Sequence, residues 1–300
     1  MSGSPAPAVA ARSAFPVTWR DFTQLTKLSI SAASTLTAAA GYCAALRGFH
    51  WRLGPMLAGT LLLAMGSCAL NEVQEFRHDA RMKRTSDRPL PSGRLSRSAA
   101  LAIGLGLAAT GFALLLLACG APAAALGLLA LAWYAAVYTP LKRVTAFAII
   151  PGSVIGAIPP AIGWAASGAG LAAPAPLALC LVFFLWQVPH FWMLMQLHDP
   201  DYRRAGFPTL ARHFDEYQGA RLTYVWLAAA ACSAGFLPFF GAVASPAAAA
   251  ALGLAALWLL GRGLPLLRPP GRPAVLRRAF MDINLFALAV VVIVVADPFL

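Results

Sequence analysis

The stretch LGPMLAGTLLLAMGSCALNEVQEFRHDARMKRTSDRPLPSGR, from Leu53 to Arg94, changes character at Asn71. Before that residue it is apolar and uncharged, and with its helical continuation it is long enough to cross a bilayer, which takes about 20 residues. After it, acids and bases crowd together until Pro89, Pro91 and Gly93 end any helix. Joining the two kinds of sequence in one element carries ionisable groups to the edge of lipid, where they are costly and usually functional.

Stretches of similar length and polarity recur on both sides. They fall near residues 28–46, 54–76, 98–119, 122–138, 144–167, 173–196, 219–241, 245–262 and 279–296, nine in all. With 60% of 300 residues hydrophobic and 11% charged, no soluble core could bury the apolar surface. The fold class predicted is all-α: a polytopic membrane protein of about nine transmembrane helices. A single domain over 27–300 follows a cytosolic tail, 1–26, in which no signal-peptide core is found.

Basic residues orient this bundle. If the N-terminus is inside, the tail and the four even-numbered connections hold 21 of the 23 Lys and Arg, leaving Arg47 and Arg52 outside. The N-terminus is then cytoplasmic and the C-terminus external. The net charge of +12 follows from this asymmetry and from anionic lipid at the inner face, and no nucleic-acid motif accompanies it. Cys43, Cys68, Cys119, Cys180 and Cys232 stand singly inside predicted spans, without CxxC spacing, and read as small core residues.

Of 11 acids, eight lie in two places: Glu72, Glu75, Asp79 and Asp87 after the second span, and Asp199, Asp201, Asp215 and Glu216 after the sixth. Helical continuation of the second span puts Asn71, Glu75 and Asp79 at i, i+4 and i+8, on one face. That row offers three oxygen ligands to a hard cation such as Mg2+, which keeps positions for water or substrate phosphate. Lys83, Arg84 and Arg88 follow, and a guanidinium binds phosphate oxygens as a fork. The competing reading is of solvated loop charges with incidental ion pairs, and it is the one Arg94 and Arg97 receive. In the second cluster, LHDPDYRRAGFPTLARHFDEYQGAR from Leu197, Asp199 and Asp201 are candidates for a second metal or phosphate shell. Pro200 breaks their spacing, and Asp215 and Glu216 have no regular relation to them.

Two apolar stretches carry further chemistry. YTPLKRVT, from Tyr138, puts Lys142 where it could reach a diphosphate or anchor the loop to headgroups. FFLWQVPHFWMLMQL, from Phe183, sets His190 in an apolar helix that Pro189 should kink. A lone membrane histidine can simply bond a neighbouring helix. Here Trp186, Phe191 and Trp192 supply aromatic faces for a positive charge, and the imidazole could contact a metalloporphyrin or move a proton. Together these groups allow ionisation of an allylic diphosphate, with metal and arginines neutralising the leaving group.

The N-x3-E-x3-D row with RTSDRPLPSGR resembles the first signature of the UbiA-type intramembrane polyprenyltransferase superfamily. Within it, YTPLKRVT, GAIPPAIGW from Gly156, WQVPHFWMLMQLHDPDYRRAGFPTL from Trp186 and DFTQLTK from Asp21 resemble the haem O synthase (protohaem IX farnesyltransferase) family, over about residues 21–210. The resemblance implies nine helices around a central cavity and transfer of farnesyl from farnesyl diphosphate to a vinyl group of haem B, with Mg2+ as cofactor. It implies that Asn71, Glu75 and Asp79 hold the magnesium diphosphate and that Arg84, Arg88 and Lys142 bind its phosphates. It puts His190 on the haem side with Trp186 and Trp192, and matches Asp201 and Tyr202 to a D-Y pair beside the diphosphate. It also points to a downstream haem A synthase as partner, and the absence of a transit peptide with the Ala- and Arg-rich composition favours a bacterial inner membrane. Glu75 departs from the Asp usual at its position but keeps a carboxylate, which bears on metal affinity and preference. Leu28, and the run Pro151, Gly152, Ser153, depart from the family's usual Pro and Gly-Gly without removing a candidate ligand. The alternatives are a prenyltransferase acting on an aromatic quinone precursor, an ion-coupled transporter, and a non-catalytic haem- or lipid-binding membrane protein.

Overall fold

Helix is the only structure in which an apolar stretch satisfies its own backbone inside lipid, and the chain uses it throughout. The computed structural model describes residues 17–268 and 273–300, and no strand occurs among them. A short helix, α1 (Trp19–Leu25), precedes nine helices long and apolar enough to span. These are α2 (Leu28–Leu46), α3 (Leu53–Asp79), α4 (Arg97–Cys119), α5 (Ala121–Leu141), α6 (Ala146–Ala166), α7 (Pro174–Leu197), α9 (Glu216–Phe239), α10 (Pro246–Leu267) and α11 (Pro273–Phe299). Between α7 and α9 lies the short α8 (Asp199–Arg204).

The tail predicted over 1–26 falls partly outside the described residues. Its described end is α1, which Thr18 caps by accepting from the Asp21 amide. Arg94 fastens α1 to the α3–α4 connection: its Nε donates to Asp21 Oδ1 at 2.9 Å and its Nη1 to Asp87 Oδ1 at 3.1 Å. Arg94, expected to be a plain loop charge, is thus a clasp. Arg97 lies over the Phe76 ring at 4.6 Å.

Small residues let the spans approach closely, as lipid-embedded packing favours. A Cβ on Gly66 would meet backbone atoms of Gly104 and Ala108, and one on Gly163 would collide with the Ala38 carbonyl. α3 therefore packs along α4, and α2 along α6. A larger apolar cluster joins α7, α9, α10 and α11. Outward faces carry Leu105, Leu117, Leu254 and Leu285, exposed as lipid-facing residues should be. Cys43, Cys68 and Cys119 are buried, whereas Cys232 is exposed on an outer face, so not every cysteine is a core residue.

Because successive spans alternate in direction, the ends of α3, α5, α7 and α10 share one end of the bundle. There the α3–α4 connection and α8 interlock: Met82 is buried against Ala205 and Phe207, with Tyr202 alongside. Asp201 accepts the Arg84 backbone N–H at 3.2 Å.

Candidate functional site

The last two turns of α3 run past the apolar zone but stay buried. Asn71, Glu72, Glu75 and Asp79 are each 6% exposed or less. Ions so placed need partners, and three elements bring them. Lys27, at the joint between α1 and α2 where the backbone turns left-handed (φ 46°), donates to Asn71 Oδ1 at 3.2 Å and to Glu72 Oε1 at 3.1 Å. Arg88, from the α3–α4 connection, bridges Glu72 Oε1 at 2.6 Å and Asp79 Oδ2 at 2.9 Å. Lys142, just beyond α5, pairs with Glu75 Oε2 at 2.5 Å. Three carboxylates thus face three cations.

The second half of α5 shapes the rest of the site. It widens into a π-helical turn over Trp133–Tyr138, a feature that often marks functional positions. The Thr139 hydroxyl donates to the Tyr134 carbonyl at 2.8 Å and accepts from Asn71 Nδ2 at 3.0 Å, which fixes the orientation of the Asn71 amide. Tyr134 and Tyr138 stack, and the Lys142 ammonium lies over the Tyr138 ring at 5.2 Å. A cavity of about 30 Å³ opens beside Lys142, lined by Tyr138, Ile149, Phe191, Met195, Tyr202 and Phe207 among others. It has the room of a water or two, not of a prenyl chain.

Electrostatics differ among the three cations. Burial opposes the charge on Lys27, yet Tyr134 and Glu72 outweigh it and hold the pKa above its ordinary value. For Lys142 burial prevails over Glu75, and the pKa falls below its ordinary value. Burial pushes the Tyr202 phenol up. Burial would also raise Asp201, but the Arg84 and Lys83 amides and Arg204 hold it below the usual carboxylate value.

The donor set suits a hard cation. Glu72 Oε2 and Glu75 Oε1 are buried with no hydrogen-bond partner, two anionic oxygens of the kind that magnesium takes. No group of three His, Cys, Asp or Glu side chains converges into a ready ligand cluster among the described residues. Asp199 and Asp201, the candidates for a second metal or phosphate shell, lie on α8 and each pairs with an arginine of that helix. Asp199 pairs with Arg203 one turn along α8 at 3.4 Å, and Asp201 is taken by Arg204 at 3.0 Å and by the Arg84 amide. Lys83 and Arg84 have exposed side chains, unlike the half-buried Arg88.

His190 lies on another face of α7 from the cavity-lining Phe191. Its ring sits 4.8 Å from Trp186 and 4.8 Å from Phe280 of α11, and its buried Nδ1 has no partner. Trp186 shares this face because it is one turn away, and its Nε1 donates to the Ile283 carbonyl at 3.0 Å. Trp192 does not join them. Two residues on, it turns to the opposite side and packs edge-on against Trp226, 1% exposed, so its expected place beside His190 is corrected.

Lys27, Glu72, Tyr134 and Thr139 belong to the site without having been singled out as candidates. Glu72 was legible in principle, since 72, 75 and 79 also follow helical spacing. Lys27 closes the DFTQLTK segment, but its spacing gives no hint of a partner 44 residues away.

Residues 34–289 match the model of the UbiA prenyltransferase family. The chain is similar to a protoheme IX farnesyltransferase of Geobacter sulfurreducens, 45% identical over 210 residues, covering 70% of this chain and 77% of that one. It is similar also to a protoheme IX farnesyltransferase of Oleidesulfovibrio alaskensis, 37% identical, covering 80% and 83%. In fold it resembles a digeranylgeranylglyceryl phosphate synthase, with a TM-score of 0.72 at 13% identity over 93% of this chain and 98% of that one. It resembles also a UbiA homologue from Archaeoglobus fulgidus bound to GPP and Mg2+, with a TM-score of 0.64 at 13% identity over 91% and 99%. The chain, a multi-pass membrane transferase, belongs to the UbiA prenyltransferase family.

Proposed function

We propose that this chain transfers farnesyl from farnesyl diphosphate to a vinyl group of haem B, releasing diphosphate and giving haem O. The observation that carries this reading is the buried set of three carboxylates and three cations with two carboxylate oxygens unmet, in a chain whose relatives are protoheme IX farnesyltransferases.

Asn71, Glu75 and Asp79 are the residues we assign to Mg2+, with Glu72 beside them. Bound there, the ion would neutralise charge developing on the departing diphosphate. With a metal there the carboxylates would have another partner, and Lys27, Arg88 and Lys142 would be free to turn their donors to phosphate oxygens. Lys83 and Arg84 approach from the exposed rim, and Asp201 and Tyr202 hold that rim in place. As the allylic C–O bond breaks, its electron pair leaves with the diphosphate. Tyr138, Phe191 and Phe207 wall the carbon that is left electron-poor and keep water from it. Their rings have to swing aside to admit the chain, since the closed cavity is far smaller than a usual ligand site. The vinyl terminal carbon then bonds to the farnesyl C1, positive charge passes to the carbon next to the porphyrin, and water adds there and loses a proton. His190, with Trp186 alongside, is our assignment for the haem side.

We place the enzyme in a bacterial inner membrane; the basic-residue asymmetry orients it with the N-terminus cytoplasmic and the C-terminus external. Its product would feed a haem A synthase. The test is mass spectrometry of membranes supplied with haem B, farnesyl diphosphate and Mg2+, with Asp79→Ala as control. Hydroxyethylfarnesyl haem is expected from the unaltered chain alone. Release of diphosphate without haem product would move the reading to another acceptor, such as a quinone precursor. Well-folded protein that yields neither would overturn it.

A further inference from the structure

Away from the α3 cluster, where the ends of α10 and α11 meet, a buried carboxylate has more cation than it needs. Asp282 is 6% exposed. Arg262 of α10 grips it as a fork, Nε to Oδ2 at 3.0 Å and Nη2 to Oδ1 at 3.0 Å. A second guanidinium, Arg278, lies one turn earlier on α11 with its Nε 3.9 Å from Oδ2. One negative charge therefore holds two positive ones. Each guanidinium has five N–H donors, and Asp282 engages only a few of the ten.

The remaining donors face outward. The side chain of Arg262 is 35% exposed and that of Arg278 56%. Arg268 and Arg277 are exposed nearby in sequence, and no acid other than Asp282 occurs between Arg262 and the C-terminal Asp297. Residues 1–16 and 269–272 contain no Asp or Glu, so neither stretch can supply a hidden side-chain counter-ion. Towards the membrane the surface turns apolar at once. The Trp258 ring lies 5.9 Å from the Arg262 guanidinium, and Leu254, Leu257, Met281 and Leu285 are exposed on the two helices.

A paired guanidinium fork above an interfacial tryptophan and an acyl-compatible wall is suited to one chemistry, a phosphate ester attached to lipid chains. We propose that Asp282 orients Arg262 and Arg278 as a binding site for the phosphate of an anionic phospholipid. Asp282 is then a positioning residue: it holds Arg262 at the membrane boundary while Arg278 supplies the excess charge. Among the described residues no hydrogen bond or ion pair joins this site to the α3 cluster.

The test uses the full chain, reconstituted in phosphatidylcholine vesicles with and without phosphatidylglycerol, then released gently for native mass spectrometry of retained lipid. Retention of phosphatidylglycerol in preference to phosphatidylcholine is expected. Arg278→Gln leaves the Arg262 fork intact and should weaken that retention about fivefold, the effect of one interfacial charge. Because Arg262→Gln alone would strand a buried carboxylate, the double variant R262Q/D282N is the second probe, and it should lose the preference too. Thermal midpoints in detergent complete the comparison: added phosphatidylglycerol should raise that of the unaltered chain, and inorganic phosphate should not. Equal retention by all three proteins, or equal protection by inorganic phosphate, would overturn the proposal.

Discussion

Two buried acidic centres lie at opposite ends of the bundle and are neutralised in different ways. At the outer end by the predicted topology, Asp297 accepts from Arg47 at 3.0 Å and from the backbone amides of Ala244 and Ser245, at 3.1 and 2.8 Å. Both of its oxygens are satisfied, and three chain segments are tied together. At the other end, Glu72, Glu75 and Asp79 are held by side chains alone, and Glu72 Oε2 and Glu75 Oε1 have no donor. Backbone donors cannot leave without unfolding something. Lysine and arginine side chains can rotate to a new anion. On the proposed function, the difference separates a lock from a site built to exchange partners.

The contrast can be broken most forcefully at Asp79. Asp79→Ala is expected to slow farnesyl transfer by about 10²–10³-fold, the usual cost of losing one preorganised charge contact to the leaving group. The matching change, Asp297→Asn, should leave turnover of the folded protein within a few-fold while lowering stability by about 2–3 kcal/mol, read as a lower thermal midpoint. A converse result, with activity lost at Asp297 and stability at Asp79, would reverse the assignment of lock and site.

Smaller effects sharpen the same comparison. Lys27→Met should raise the KM for farnesyl diphosphate about tenfold with a lesser change in kcat, as expected for loss of a charged hydrogen bond to bound phosphate. The least effect is expected at the clasp on α1. The Thr18 hydroxyl and Arg94 hold the Asp21 carboxyl below its ordinary value, so its contribution is present above that value and disappears as pH falls through the lowered one. Arg94→Gln should therefore cost no more than about 1 kcal/mol near neutral pH, seen as faster amide exchange over residues 19–25.

Much of this was legible beforehand because lipid imposes few choices. Nine spans follow from apolar length alone, and α2 matches its predicted bounds of 28–46. Asn71, Glu75 and Asp79 announce themselves as polar residues at helical spacing where none belongs. What the pattern could not choose was the exact face, since Glu72 fits the same periodicity as Asn71. Nor could it find contacts between distant segments: Lys27 with Glu72, Thr139 with Asn71, Arg94 with Asp21. Trp192 misled because neighbours in sequence are not neighbours on a helix, and a two-residue step points nearly the opposite way. Nor does composition show that Asp199 pairs with Arg203 of its own helix.

The most direct test of the exchange is a binding titration of the purified chain with Mg2+ alone, inorganic diphosphate alone, and the two together. If the three cations are released to the phosphates only when the carboxylates gain a metal, each ligand alone binds weakly. Together they should bind at least about tenfold more tightly, a coupling that is the same whichever is added first. Diphosphate that binds as tightly without Mg2+ as with it would contradict the exchange.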